Sequence, residues 1–461
     1  MDTRADTRLA VCQRHRARRL AYWNAALWAI GNGLTSSTLV IYLALELGVP
    51  GVGLGVGLIK AAPQIAGLLR LGTPALIARL GDRKRFCLTT YLLSGLVLLG
   101  LPLAAAPGWL SSKTASLAAL VALWCLYHLL EYLGTVALWS WLADLVPLRI
   151  RGRFIGRRER WMVVGQAAAM LAAGLFTWGW HQLHPQLPRW IGYAIPAGVG
   201  VWFLIASLVP LVRMPRVASG RPGRPGLTLR SMAAPFLDRR FLRLLLFGCW
   251  FSFFNGITQS AQSVYPYRVL GMSLFVMLAL QTGMRCGQWT ISPALGRLAD
   301  RWGNRPVMIL SLPVVALGCL FHYLATPAQP WWLIGAWATW IAYAGLNVGL
   351  PNLMLKLSPR EANTPYIAAF HATGGLCVAV STIAGGWLLD QFAKVSFSVF
   401  GGIVALSFYQ YLFLFGWLTR TMGVLLLWLI IEPRGTAASP TAFASRSRTG
   451  ASGHAGRSGL G

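Results

Sequence analysis

The chain has 461 residues, with 41 Lys or Arg against 12 Asp or Glu, a net charge of +29, and a 56% hydrophobic composition. The placement of that charge excludes a nucleic-acid partner: 33 of the 41 basic residues fall in seven alternate gaps (1–21, 79–86, 147–160, 213–243, 297–305, 356–360 and 434–461) between long apolar runs. This is the positive-inside pattern of a polytopic membrane protein, so the charge reports topology.

A run of about 20 apolar residues crosses the hydrocarbon core as a helix, because lipid offers the backbone no other hydrogen-bond partner. Twelve such spans are predicted, near 22–46, 53–78, 86–106, 115–144, 161–182, 190–212, 244–265, 272–296, 306–326, 331–355, 364–391 and 408–431. The basic stretch Arg14 to Arg19 leads into the first span with no small-residue cleavage site, so that span is expected to act as its own signal-anchor. An even number of spans puts both termini on the basic side, which the positive-inside pattern makes the cytoplasm. The region 392–411 stays open between an external loop and an early start to the twelfth span.

The longest polar interruption, Arg213 to Arg243, holds two Arg-Pro pairs and eight arginines, with six spans on each side. The expected organisation is a basic N-terminal tail (1–21), a six-helix bundle (22–212), a basic linker (213–243), a second six-helix bundle (244–433) and a disordered tail (434–461) rich in Ala, Ser, Gly and Arg. Leu229 to Phe241 has the pattern of a short amphipathic helix on the membrane surface. Seven cysteines (Cys12, Cys87, Cys125, Cys249, Cys286, Cys319 and Cys377) show no CxxC spacing, which speaks against a disulfide framework or a zinc site.

The two halves share marks at corresponding places. Pro74-Ala75-Leu76 precedes Arg79-Leu80-Gly81-Asp82-Arg83 after span two; Pro293-Ala294-Leu295 precedes Arg301-Trp302-Gly303-Asn304-Arg305 after span eight. Span four ends Asp144-Leu145-Val146-Pro147, and span ten ends Lys356-Leu357-Ser358-Pro359. Two such marks six helices apart indicate a parallel repeat.

The run Gly296-Arg297-Leu298-Ala299-Asp300-Arg301-Trp302-Gly303-Asn304-Arg305 matches nearly in full the loop motif of the major facilitator superfamily, which the chain therefore resembles over about residues 22–433. The N-terminal copy is degraded, with Ala78 where the motif has aspartate and with Gly81 and Arg83 retained. The resemblance implies an all-α membrane protein of twelve transmembrane helices in two pseudo-symmetric six-helix bundles. It also implies a cytoplasmic gate built on Gly296, Asp300, Arg301, Gly303, Arg305, Gly81 and Arg83. In this reading Gly296 permits close helix approach, Gly303 suits a tight turn, and Asp300 is set against Arg157, Arg158 and Arg160 at the start of span five. Two family signatures are missing: Gly165 to Gly179 contains no proline, and the span-four arginine motif is replaced by a stretch containing Glu131. Both departures argue against proton/drug antiport.

Charge inside a span is a functional candidate by default. Glu131 is the one acidic residue deep in a span, and His128 shares its face; together they are the candidate proton-coupling groups, with a structural pairing of Glu131 to Arg70 or Lys60 as the competing reading. Candidate solute contacts are Asn32, Arg70, Gln281, Arg285, Asn347, His371 and the helix-seven stripe Asn255, Gln259 and Gln262 at i, i+4, i+7. Lys60 is expected to snorkel to the outer surface, and Arg420 to hold backbone carbonyls. Basic residues outnumber acids at these depths, which favours an anionic or zwitterionic solute.

Neither Gly-x-Ser-x-Gly, a Walker loop nor His-Glu-x-x-His occurs, so an enzyme or a primary pump is not expected, and no cofactor or metal is implied. The expected function is secondary transport of a small solute by alternating access in a bacterial inner membrane, by a monomer whose partners are its solute and the lipid bilayer. A lipid flippase or a non-transporting solute sensor on the same scaffold are the alternatives.

Overall fold

The computed structural model describes residues 11–49, 51–69, 82–106, 108–146, 148–216, 229–359, 363–392, 395–399 and 404–432. Arg70, Gly81, the central part of the basic linker and the expected disordered tail (434–461) lie outside the described residues.

Among the described residues, twelve helical rods follow in chain order. Helix one is Val11–Leu34 continued by Ser37–Glu46, helix two Val52–Leu69, helix three Arg83–Ala105, helix four Lys113–Leu145, helix five Leu148–Leu183, and helix six Arg189–Ala206 with Leu208–Val212. Helix seven is Arg239–Arg268, helix eight Leu274–Trp302, helix nine Asn304–Leu324, helix ten Trp332–Thr339 through Trp340–Ala342 to Tyr343–Leu357, helix eleven Asn363–Phe392 and helix twelve Phe408–Leu429. Among the described residues, ten helical stretches are long and apolar enough to cross a membrane, and Val52–Leu68 is a shorter apolar helix.

Several helices run well past their apolar segments. Helix five begins at Leu148 rather than near 161, helix one at Val11 rather than 22, and helix eight ends at Trp302 rather than 296. The extra turns are rich in arginine, a good helix former, so the helix continues after hydropathy has fallen. The region 392–411 is neither a plain loop nor an early helix: Ser396–Val399 pairs antiparallel with Val404–Ser407, and Ser407 then opens helix twelve with a capping box to Gln410. In the linker, Leu229–Leu237 is a short helix; Asp238 ends it and caps helix seven by accepting the Arg240 and Phe241 amides.

Two interruptions matter for the site. Helix one breaks at Thr35, whose hydroxyl donates back to the Gly31 carbonyl (2.9 Å), and Ser36 caps the next segment through the Leu39 amide. Helix ten tightens to a 3-10 turn at Trp340–Ala342. Such irregular turns inside spans persist where neighbouring helices satisfy the freed backbone groups or where a cavity is lined.

The helices form two six-helix bundles. Their main seam joins helix two to helix eleven and helix five to helix eight. One end of the molecule carries the basic loops (the basic end); the opposite end is the far end.

Candidate functional site

A cavity of about 90 Å³ lies at the seam between the bundles. Helix one supplies Thr38, Ile41 and Tyr42, all just beyond its break, and helix two supplies Lys60. From the second bundle come Gln259, Gln262 and Ser263 of helix seven, Met277 and Gln281 of helix eight, and Trp337 and Trp340 beside the 3-10 turn of helix ten. Thr38 Oγ1 donates to Gln281 Oε1 (3.0 Å), one hydrogen bond directly across the seam. Gln288 Nε2 donates to the Trp340 carbonyl (2.9 Å) and so satisfies a group that the helix-ten irregularity frees.

Of the predicted solute contacts, Gln259, Gln262 and Gln281 meet in this cavity. Asn255 does not join them: its Oδ1 accepts the Tyr343 hydroxyl (2.9 Å) and its carbonyl accepts Arg420 Nη2 (3.2 Å). Asn32 lies inside the first bundle, where Gln166 Nε2 donates to its Oδ1 (2.8 Å) and its own amide donates to the Tyr127 hydroxyl (3.4 Å). Asn347 and His371 are exposed on helices ten and eleven and do not line the cavity; the His371 ring packs edge-on to Phe370. Arg285 is exposed one turn from Gln281, on the face that Gln281 and Met277 present to the cavity. Lys60, expected to snorkel outward, lines the cavity instead. Its Cα is eight residues, about 12 Å, inside the start of helix two.

The far end is closed by contacts that the sequence reading did not single out. Asp390, near the end of helix eleven, accepts the Gly53 and Leu54 amides (2.8 and 2.6 Å), capping helix two from the other bundle. The backbones must touch for this: a Cβ on Gly386 would stand 2.3 Å from the Gly53 carbonyl oxygen. Beside it, Glu46 Oε1 accepts the hydroxyls of Tyr267 (2.9 Å) and Tyr193 (3.4 Å), one from each bundle, and Tyr42 donates to the Met272 carbonyl (2.9 Å).

Glu131 is 6% exposed and accepts the Thr135 hydroxyl (2.8 Å), which in turn pairs with the Tyr91 hydroxyl (2.9 Å). It sits where helices three and four pack, away from the central cavity. His128 shares its face but makes no bond to it; the imidazole packs on Trp124 and Tyr127 with ring centroids 4.5 and 4.9 Å away, and neither ring nitrogen has a hydrogen-bond partner among the described residues.

At the basic end, Asp300 is exposed and forms no ion pair among the described residues. Of the arginines expected opposite it, two are engaged within their own bundle, Arg158 buried over the Trp139 ring (4.9 Å) and Arg157 over Tyr22 (5.5 Å), while Arg160 is exposed. Gly296 has open space around it, so the close approach expected there is not made. Gly303 does make a turn that only glycine adopts readily, with φ +98°. The next two amides, Asn304 and Arg305, donate to Glu432 (3.1 and 2.9 Å), which also accepts Asn304 Nδ2 and Lys356 Nζ, both at 2.8 Å. Burial alone would raise the Glu432 carboxyl, but the Arg305 amide, Lys356 and Asn304 outweigh it and hold the group below the usual carboxylate value. Arg305 donates to the Trp428 carbonyl (2.9 Å), and Arg301 is exposed. In the first bundle, Arg83 Nη1 ties helix three to helix four through the Ser140 hydroxyl (2.9 Å), and Asp82 caps helix three.

Arg420 is fully buried and does hold carbonyls, those of Phe254 and Asn255, as well as the Thr258 hydroxyl. Among the described residues no three His, Cys, Asp or Glu side chains are placed to hold a metal ion.

Residues 280–424 match the family model described as Major Facilitator Superfamily. Over nearly the whole chain the fold is similar to solved structures. One is the nucleoside transporter NupG, 14% identical with a TM-score of 0.64, covering 91% of this chain and 98% of that one. Another is the inward-open xylose transporter XylE from E. coli, 14% identical with a TM-score of 0.63, covering 92% and 98%. A third is a bacterial homologue of the human drug peptide transporters PepT1 and PepT2, 14% identical with a TM-score of 0.61, covering 90% and 98%. At such identities the likeness is one of fold. No curated protein matches the sequence.

Proposed function

We propose that this chain, a member of the major facilitator superfamily, is a secondary active transporter that carries a small hydrogen-bonding solute by alternating access. One observation carries the reading: a polar cavity lies on the seam between two bundles that are clasped at the far end, while at the basic end the gate residue Asp300 is exposed and forms no ion pair among the described residues. With the basic end in the cytoplasm of a bacterial inner membrane, this is an inward-facing state. In the opposite state the far-end clasp parts, and Asp300 finds its arginine partners at the start of helix five. The solute sits among Gln259, Gln262 and Gln281, and the Thr38–Gln281 bond closes the seam behind it.

Proton coupling belongs to Glu131. It is a buried carboxylate beside the Thr135–Tyr91 hydroxyl pair, inside the bundle that must move, so a change in its charge alters how helices three and four pack. The coupling is therefore indirect, through packing rather than through contact with solute.

The test is counterflow in proteoliposomes containing the full-length protein, with organic acids, amino acids, sugars and nucleosides as probes. Saturable counterflow of one class supports the reading. Binding without counterflow makes the protein a sensor, and scrambling of labelled phospholipid in the same vesicles makes it a flippase. Proton movement that accompanies flux in the native protein and vanishes in Glu131→Gln assigns the coupling; proton movement that is equal in both removes Glu131 from it.

A further inference from the structure

We infer that the central cavity binds a small, water-soluble organic anion, with its carboxylate on Lys60. The inference rests on the transporter reading for the cavity's being the solute site, and it supplies the solute's chemical class.

Hydrogen-bond accounting leads there. The hydroxyls of the lining donate to protein: Thr38 to Gln281 Oε1, Tyr42 to the Met272 carbonyl, and Ser263 to the Gln259 carbonyl. The Gln262 amide donates to Cys319 Sγ (3.5 Å). The donors left over are the Lys60 ammonium, the side-chain amides of Gln259 and Gln281, and the indole N–H groups of Trp337 and Trp340, which give no hydrogen bond to the described residues. Among the described residues no Asp or Glu lines the cavity.

The nearest acids along the packed helices are held elsewhere. Helix four meets helix two through Trp124 Nε1 and the Ile59 carbonyl (3.1 Å), next to Lys60. Glu131 lies seven residues further along helix four, about 10 Å away, and accepts Thr135. Glu46, a turn beyond Tyr42 toward the far end, accepts Tyr193 and Tyr267.

An ammonium inside a membrane protein without a counter-ion is expensive, and such a group calls for a partner. An ammonium and a surplus of neutral N–H donors around one space fit a carboxylate, which only accepts and can take several donors at once. The cavity, of about 90 Å³, is small. That suits a short-chain monocarboxylate and leaves no room for the glycerol and acyl chains of a lipid. Trp337 and Trp340 give its apolar part a wall. Arg285, exposed one turn beyond Gln281 on the same face, is the next cation on the way to the basic end.

The test compares three nearly isosteric probes, propionate, propionamide and propylammonium, by thermal stabilisation of the purified full-length protein at constant ionic strength. Propionate alone is expected to stabilise, with Lys60→Arg retaining the effect and Lys60→Gln weakening apparent affinity by about tenfold or more. No stabilisation by propionate, an equal effect of the amide or the amine, or an undiminished effect in Lys60→Gln overturns the inference. If Lys60→Gln does not fold, the comparison of probes on the native protein still decides. Displacement of propionate by phosphatidylglycerol vesicles would move the site from a soluble anion to a lipid headgroup and overturn the assignment as stated. Binding is read without turnover: propionate binding with no counterflow leaves this inference standing and removes transport, whereas counterflow of a neutral solute does the reverse.

Discussion

At the scale of single residues, the carboxylates at helix starts carry the most structural information. Glu432 gathers the first two amides of helix nine, Asn304 and Lys356, joining three helices at the basic end. Its folded value lies below the ordinary carboxylate value, so the stability it contributes is present above the unfolded value near 4.5 and is lost as the pH falls through the lower folded value. Glu432→Gln should lower the melting temperature at pH 7, on the order of 1–2 kcal/mol for a partly buried charged cap. The gap to the native protein should narrow at pH 4 and below; a gap that is constant with pH would show that packing, not charge, is at work. Sequence reading missed Glu432 because it lies just past the last apolar run, where hydropathy sees only a tail. Lys60 was misread for a related reason. Its depth in helix two was legible, but which face of the helix it occupied was not, and a lysine free to snorkel reads the same as one facing a cavity until helix eleven is placed.

At the scale of elements, the far-end clasp is a helix N-terminus of one bundle capped by a carboxylate of the other. Asp390→Asn keeps the shape and removes the charge, which should weaken the cap by about 0.5–2 kcal/mol and raise the population open at the far end by about 2- to 30-fold. Spin labels at Leu47→Cys and Gln391→Cys would read this as a longer distance; an unchanged distance distribution would assign closure to the tyrosine cluster instead. Gly386→Leu should act more strongly, because its side chain would occupy the space of the Gly53 carbonyl. Number and order of the helices were legible in hydropathy and charge alternation. The irregularities that shape the cavity were harder to read: the break at Thr35 and Ser36 falls in a short polar run, Thr35-Ser36-Ser37-Thr38, that the apolar residues around it mask, and the 3-10 turn at Trp340 has neither a proline nor a polar run to announce it. The helix-seven stripe divides. Gln259 and Gln262 face the cavity, while the helix turns Asn255 toward Tyr343 and Arg420.

At the scale of the whole molecule, the motif Gly296 to Arg305 named the fold correctly but said little about the state captured. Asp300 is exposed with no ion pair among the described residues and the far end is clasped, so under the proposed cycle the motif's ion pairs would form in the other conformation. Asp300→Asn should therefore leave the stability of this state nearly unchanged while slowing cycling, seen as slower counterflow at equal solute affinity. A large loss of stability would mean that Asp300 already has a role here. The Lys60 site has an electrical consequence as well. An empty carrier with an uncompensated ammonium at its centre holds a net charge where the transmembrane field falls, and a bound monoanion cancels it. Reorientation of the empty carrier should then depend on membrane potential, up to about 2.3 kcal/mol per 100 mV if the charge were transferred across the whole field, while the loaded step should be nearly insensitive. Transient currents on a solid-supported membrane would separate the two steps, and in Lys60→Gln that contrast should disappear.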